Sequence, residues 1–236
     1  MSSISRVRVV IPAKNEEALL PDCLRSMLDA ARCCPVAVDV IVVLDDCTDD
    51  SAAVIAEFAP EYARQAHTAL RSRRVALSNV GKARALGMDL ALYDTKIDHL
   101  WLATTDADST VPAHWLSAQL DHVRKGASVV VGTVRVGDWG ERPADVRRRA
   151  EAEYVANGHH HVHGANLSFT AAAYRRAGGF PALSCDEDVA LVHAFEAVGE
   201  TLVWATDLPV STSGRRLGRA RAGFAAYLDD LEEDTA

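Results

Sequence analysis

Residues 38–44 read Val-Asp-Val-Ile-Val-Val-Leu, an almost unbroken β-branched run. A strand with one wet face alternates polar and apolar residues, so a run without alternation is buried on both faces. Helical patterns flank it. Residues 16–32 place Leu19, Leu20, Cys23, Leu24, Met27 and Leu28 at helical spacing, and residues 51–58 read as a second helix. The alternation continues with strands at 7–11, 73–77, 98–104 and 127–136 and helices at 82–93 and 113–125. Residues 60–74 read either as more helix or as a loop. Strands separated by helices predict an α/β fold with a mostly parallel, Rossmann-like sheet and helices on both faces.

Beyond residue 147 the pattern changes. A polar helix is expected at 147–157, a short one at 171–177 ended by Gly178-Gly179, another at about 186–198, and a strand at 201–205. The tail from Ser211 reads as basic first and helical after. With no repeat, low-complexity linker or sharp boundary, one domain over 1–236 is expected. Residues 1 to about 110 would form a nucleotide-binding half, and about 111–236 an acceptor half with a C-terminal tail.

Composition narrows the function. The net charge is −8, so the basic footprint of a nucleic-acid binder is absent. No run approaches the roughly 18 apolar residues of a membrane span, which leaves only peripheral membrane contact open. The apolar stretch at 7–11 is too short for a leader and runs into Pro12 and Lys14. Five cysteines (Cys23, Cys33, Cys34, Cys47 and Cys185) contain no CxxC pair, which points to reduced thiols in a cytoplasmic protein and away from structural zinc.

Open α/β sheets bind ligands beyond the carboxyl ends of their strands. Three polar clusters fall there: Pro12-Ala13-Lys14-Asn15 after the first strand, Asp45-Asp46 after the second, and Asp106-Ala107-Asp108 after the fourth. In extended chain, residues i and i+2 point the same way, so Asp106 and Asp108 could share a hard divalent cation. A turn with a helix cap before Pro112 is the plainer alternative. Asp45, at a strand tip, could accept N–H groups from a nucleobase, whereas Asp49 and Asp50 suit capping. Gly81-Lys82-Ala83-Arg84 offers cations at a helix start, but Ala76 and Ala83 break the phosphate-loop pattern, and no GxGxxG follows the first strand. Asp186-Glu187-Asp188 suits a helix N-terminus electrostatically, or a general base. His159, His160, His161 and His163 read as a polar loop before metal ligands. Arg215, Arg216, Arg219 and Arg221 could hold an anion or simply be solvated. Residues 147–149, three arginines beside Glu151 and Glu153, read as surface.

Taken in order, VVIPAKNEEALLPDCLRSM, VIVVLDDCTDDS, GKARALGMDLAL, TTDADS, GANLSFTAAAYRRAGGF and DEDVAL resemble family 2 glycosyltransferases of the GT-A fold. The resemblance covers most of the chain. It implies metal-dependent, inverting transfer of a sugar from a nucleoside-diphosphate sugar to a hydroxyl acceptor, either a small metabolite or a lipid-linked glycan. It places Pro12, Asn15, Glu16 and Asp45 around the nucleobase and Lys82 and Arg84 near the nucleotide. Asp106 and Asp108 match the DxD that holds Mn²⁺ or Mg²⁺ against the donor diphosphate. Gly164, Ala165 and Asn166 match the segment lining sugar and acceptor. Glu187-Asp188 matches the family's acidic pair, with Asp188 the catalytic base. No histidine follows His193 to serve as a late third metal ligand, and the Gln-Xaa-Xaa-Arg-Trp segment of processive synthases is absent. Arg215 and Arg216 are expected to close over the donor phosphates instead. Two rivals are a sugar-phosphate nucleotidyltransferase, whose Gly-rich first loop is not seen here, and a non-catalytic sugar-nucleotide-binding protein.

Overall fold

The structure, a computed structural model, describes residues 3–140, 142–156, 161–215 and 232. The first half alternates strand and helix: β1 (Arg6–Ala13), α1 (Leu20–Arg32), β2 (Ala37–Asp45), α2 (Ser51–Arg64), β3 (Thr68–Val75), α3 (Val80–Leu92) and β4 (Leu100–Thr104). The second half adds β5 (Ser109–Thr110), α4 (Trp115–Arg124), β6 (Val129–Asp138), α5 (Ala144–Ala156), β7 (Leu167–Thr170), α6 (Ala171–Arg176), α7 (Glu187–Ala197) and β8 (Leu202–Ser213). One sheet contains all these strands in the order β3-β2-β1-β4-β7-β6-β8-β5. The neighbours β3, β2, β1 and β4 run parallel, and β6 runs parallel to β8. β7 pairs antiparallel with β4 and β6, and β5 antiparallel with β8.

The β-branched runs explain the layers. Along β1 and β2, Val7, Val9, Ile11, Val40, Val42 and Leu44 enter one core, together with side chains of α1, α2 and α4. Their alternates Val10, Ile41 and Val43 enter a second core with α3, α6 and α7. The sheet is therefore covered on both faces, as the unbroken run at 38–44 requires.

Local readings shift in three places. α2 continues through Pro60 to Arg64, and the third strand begins at Thr68, not at residue 73. That strand is a sheet edge in which Arg71, Ser72, Arg73 and Arg74 are exposed, so it has no apolar pattern to find. Ser211–Ser213, read as the start of a tail, closes β8 and pairs with β5. The helix expected further along the tail lies outside the described residues.

Gly87 marks where α3 presses closest on the sheet. A Cβ there would lie 2.3 Å from Cγ1 of Val10 and 3.1 Å from Cγ2 of Val43. We expect Gly87→Ala to destabilise by about 1–3 kcal/mol, the overpacking cost exceeding the ~1 kcal/mol that alanine gains in a helix. Denaturant melts of the two proteins check this, and an unchanged midpoint would show that the contact yields.

Candidate active site

Every parallel strand of the first half ends at the same sheet edge, and the loops there are tied together. The Asn15 Oδ1 accepts the Thr48 N–H at 2.7 Å, the Ser51 hydroxyl accepts the Glu16 N–H at 2.9 Å, and Asp49 accepts the Glu17 N–H at 2.9 Å. Asp49 also accepts the N–H and the hydroxyl of Ser51, the first residue of α2, whereas Asp50, in the N-cap position and also read as a cap, makes no side-chain capping bond. Asn15, Asp46, Ser78 and Asp186 all adopt left-handed backbone, with φ of 53°, 50°, 46° and 58°. Such conformations cost energy in residues with a Cβ and cluster where a site must be shaped.

Asp106 and Asp108 leave β4 at this edge. The Cys23 thiol donates to the Asp106 carbonyl at 3.4 Å and stays protonated, because burial, then Asp108, Asp106 and Glu16, push its pKa up. Arg215, directly after β8, forks onto both oxygens of Glu16 at 2.7 Å and reaches Asp108 Oδ2 at 3.1 Å. The Ser109 and Thr212 hydroxyls donate to the other Asp108 oxygen, at 3.2 and 3.4 Å. Burial first, then Asp106 and Glu16, push the Asp108 carboxyl up to about 6 against the pull of Arg215. The loop thus holds more negative charge than its surroundings neutralise.

Glu187 and Asp188 open α7. The Gly164 N–H donates to Asp188 Oδ2 at 2.5 Å, and the Val189 N–H to Oδ1 at 2.8 Å. Arg84 bonds Glu187 through one Nη and Asp106 through the other. An acid from the tip of β4 and an acid from the start of α7 therefore meet across one guanidinium.

Other expected residues take different places. The Asp45 carboxylate, 5% exposed, accepts the backbone N–H groups of Leu77, Ser78 and Asn79 at 2.6, 3.0 and 3.0 Å. It organises the loop before α3 and does not stand open for a base. Asn166 is buried: its amide donates to the Thr133 and Leu208 carbonyls and its oxygen accepts the Trp115 indole N–H. That side chain is a strut between strands, with Gly164 and Ala165 buried beside it. Glu187 is buried too and bonds Arg84. Pro12 is half-buried on β1, and Lys82 is exposed in the first turn of α3. Arg216, Arg219, Arg221, His159 and His160 lie outside the described residues. The rings of His161 and His163 stack at 6.2 Å.

The sequence reading missed a cleft of about 330 Å³ lined by Leu44, Asp46, Cys47, Thr48, Arg74 and Val75. Asp46 belongs to the polar pair already marked after the second strand; Arg74 lay hidden in the polar edge strand. Among the described residues, no cluster of three or more His, Cys, Asp or Glu is arranged to hold a metal. Asp106 and Asp108 are hard oxygen donors in a locally over-negative loop, and they fit a Mg²⁺ or Mn²⁺ that completes its shell with phosphate oxygens.

The mostly parallel sheet covered by helices on both faces, with its acids gathered beyond the strand tips, is the architecture of a GT-A glycosyltransferase domain. The chain belongs to glycosyltransferase family 2: the model described as Glycosyl transferase family 2 matches residues 8–179. Solved structures support the fold. S. aureus TarS 1–349 is similar with a TM-score of 0.63 and 12% identity, over 96% of this chain and 69% of that one. A longer TarS chain is covered over only 42% of its length. The mannosyltransferase PcManGT from Pyrobaculum calidifontis, in complex with GDP-Man and Mn²⁺, has a TM-score of 0.66 at 19% identity, over 96% of this chain and 60% of that one. Glucosyl-3-phosphoglycerate synthase from Mycobacterium tuberculosis, in complex with phosphoglyceric acid, has a TM-score of 0.52 at 17% identity, over 89% of this chain and 73% of that one. No curated protein matches the sequence. No helix among the described residues is long and apolar enough to cross a membrane.

The buried charge of Asp108 has a pH signature. Its folded pKa of about 6 lies above its ordinary 3.8, so the folded state holds the proton more tightly than the unfolded one. Stability from this group is full below pH 4 and is lost as pH rises through 6. We expect Asp108→Asn to stabilise the metal-free protein at pH 7.5, by up to about 3 kcal/mol, and to do nothing at pH 3.5. Melting curves at the two pH values check it; equal shifts at both would contradict it.

Proposed function

We propose that this domain transfers a sugar from a nucleoside-diphosphate sugar to an acceptor hydroxyl in a single, inverting displacement. The observation that carries this reading is the bridge by Arg84 from Asp106, two residues before Asp108 at the tip of β4, to Glu187 at the start of α7, beside Asp188, which accepts the Gly164 N–H. Asp106 and Asp108 would hold Mn²⁺ or Mg²⁺, which supplies Lewis-acid neutralisation of the departing nucleoside diphosphate. Arg215 is a planar fork already set for two oxygens of one anion, and its bidentate grip on Glu16 has the geometry that a diphosphate would exploit.

Asp188 is the base. Backbone N–H groups of Gly164 and Val189 fix both carboxylate oxygens without consuming them, since each oxygen keeps a further lone pair for the acceptor hydroxyl proton. The cleft at Asp46, Thr48 and Arg74 gives a nucleobase a partly polar lining at the tips of β2 and β3. TarS has been solved with UDP, and PcManGT with GDP-Man and Mn²⁺; both bases are candidates here. The acceptor is a small metabolite or a lipid-linked glycan reached from the aqueous side.

A thermal-shift panel of UDP, GDP, CDP and ADP, each with Mn²⁺ and with chelator, tests the donor half. One nucleotide at a hundred times its dissociation constant is expected to add about 2.7 kcal/mol, a shift of roughly 5–10 °C, only with metal and not in Asp108→Ala. Asp188→Asn should keep that shift while kcat falls about 10²–10⁴-fold. No shift with any nucleotide would overturn the donor site. Full turnover in Asp188→Asn would remove the base.

A further inference from the structure

Arg84 was expected near the nucleotide as a cation for phosphate, yet its side chain is only 5% exposed and both of its Nη groups are taken. One bonds Asp106 and the other bonds Glu187, itself 4% exposed. Its Nε is buried without a partner. Gly164 lies against the guanidinium: a Cβ there would fall 2.5 Å from the Arg84 Cζ. That same Gly164 gives its N–H to Asp188. One turn earlier on α3, a Cβ on Gly81 would fall 2.5 Å from the Leu183 carbonyl oxygen and 2.6 Å from that of Pro181. The Gly81 N–H also donates to the Leu183 carbonyl. α3 is therefore docked onto the chain entering α7 at two points, with Arg84 as the charged one. A guanidinium 5% exposed, with each Nη already on a carboxylate, is placed to tie the two acids together, not to meet a diphosphate from solvent.

We propose that Arg84 is a positioning residue. Its rigid fork fixes the start of α7, and with it Gly164 and Asp188, against the loop of Asp106 and Asp108. The base and the departing group are thereby held in line. This rests on Asp188 being the base and on the carboxylate pair being the donor end. The sensitivity is plausible in size, because a misplacement of about 1 Å costs on the order of 100-fold in rate. A lysine keeps the charge but cannot bridge two carboxylates through a planar fork.

The test separates positioning from simple charge neutralisation. Arg84→Met alone strands a buried Glu187 and should lower the melting temperature. The double variant Arg84→Met/Glu187→Leu removes the pair together, so its melting temperature should return close to the parent's. We expect its amide exchange to stay at least tenfold faster than the parent's in residues 162–166 and 187–190. With UDP-glucose and GDP-mannose as probe donors, the variant that keeps the parent's nucleotide affinity within about threefold should lose about 100-fold in kcat. Glu187→Gln, which keeps an oxygen for Arg84, should hold kcat within a few-fold. A double variant with parental melting, exchange and kcat would overturn the proposal. So would a loss confined to nucleotide affinity. If the parent turns over neither donor, parental exchange in the double variant would still overturn the proposal, whereas loosened exchange would sustain the fixing of α7 by Arg84 and place the failure in the assumed donor.

Discussion

Negative charge gathered in a partly dry place is the constraint on which the rest depends. Glu16, Asp106, Asp108 and Glu187 share two guanidinium groups, Arg84 and Arg215. Carboxylates so arranged repel and resist desolvation, and the raised Asp108 carboxyl is the visible consequence. The opposite end of the sheet is a useful contrast. There the buried Asp39 is bonded by both Arg6 and Arg8. At that end the cations outnumber the acid; at the other the acids outnumber their cations, a deficit of positive charge that a further cation can fill.

The fold creates that deficit by topology. Parallel strands deliver their loops to one edge, and the left-handed residues at 15, 46, 78 and 186 turn the chain sharply there. Arg142 braces the far side: it donates to the Gly214 and Arg215 carbonyls at 2.8 and 3.3 Å, fixing the root from which Arg215 reaches across to Glu16. Contacts between residues as distant in sequence as 16 and 215 make this edge a product of the whole sheet.

What was legible in the sequence followed from pattern. The run at 38–44 required a doubly covered strand, and apolar periodicity located α1. The spacing of Asp106 and Asp108 marked a strand tip worth attention. What was hidden followed from partners. β3 is polar because it is an edge, so hydrophobic alternation could not mark its start. Residue type alone could not show that three N–H groups of residues 77–79 would claim Asp45, or that Asn166 would span three elements of the core. Arg84 has the charge of a phosphate ligand and the burial of a core residue, and only packing distinguishes the two.

Anomalous diffraction at the manganese edge, from crystals grown with Mn²⁺ and either UDP or GDP, addresses the donor site most directly. The expected result is one manganese peak bonded to the carboxylates of Asp106 and Asp108, with the diphosphate on its outer side and Arg215 drawn from Asp108 onto the phosphate oxygens. Nucleotide bound away from the tip of β4, or manganese bound without either aspartate, would contradict the placement of donor chemistry at this edge.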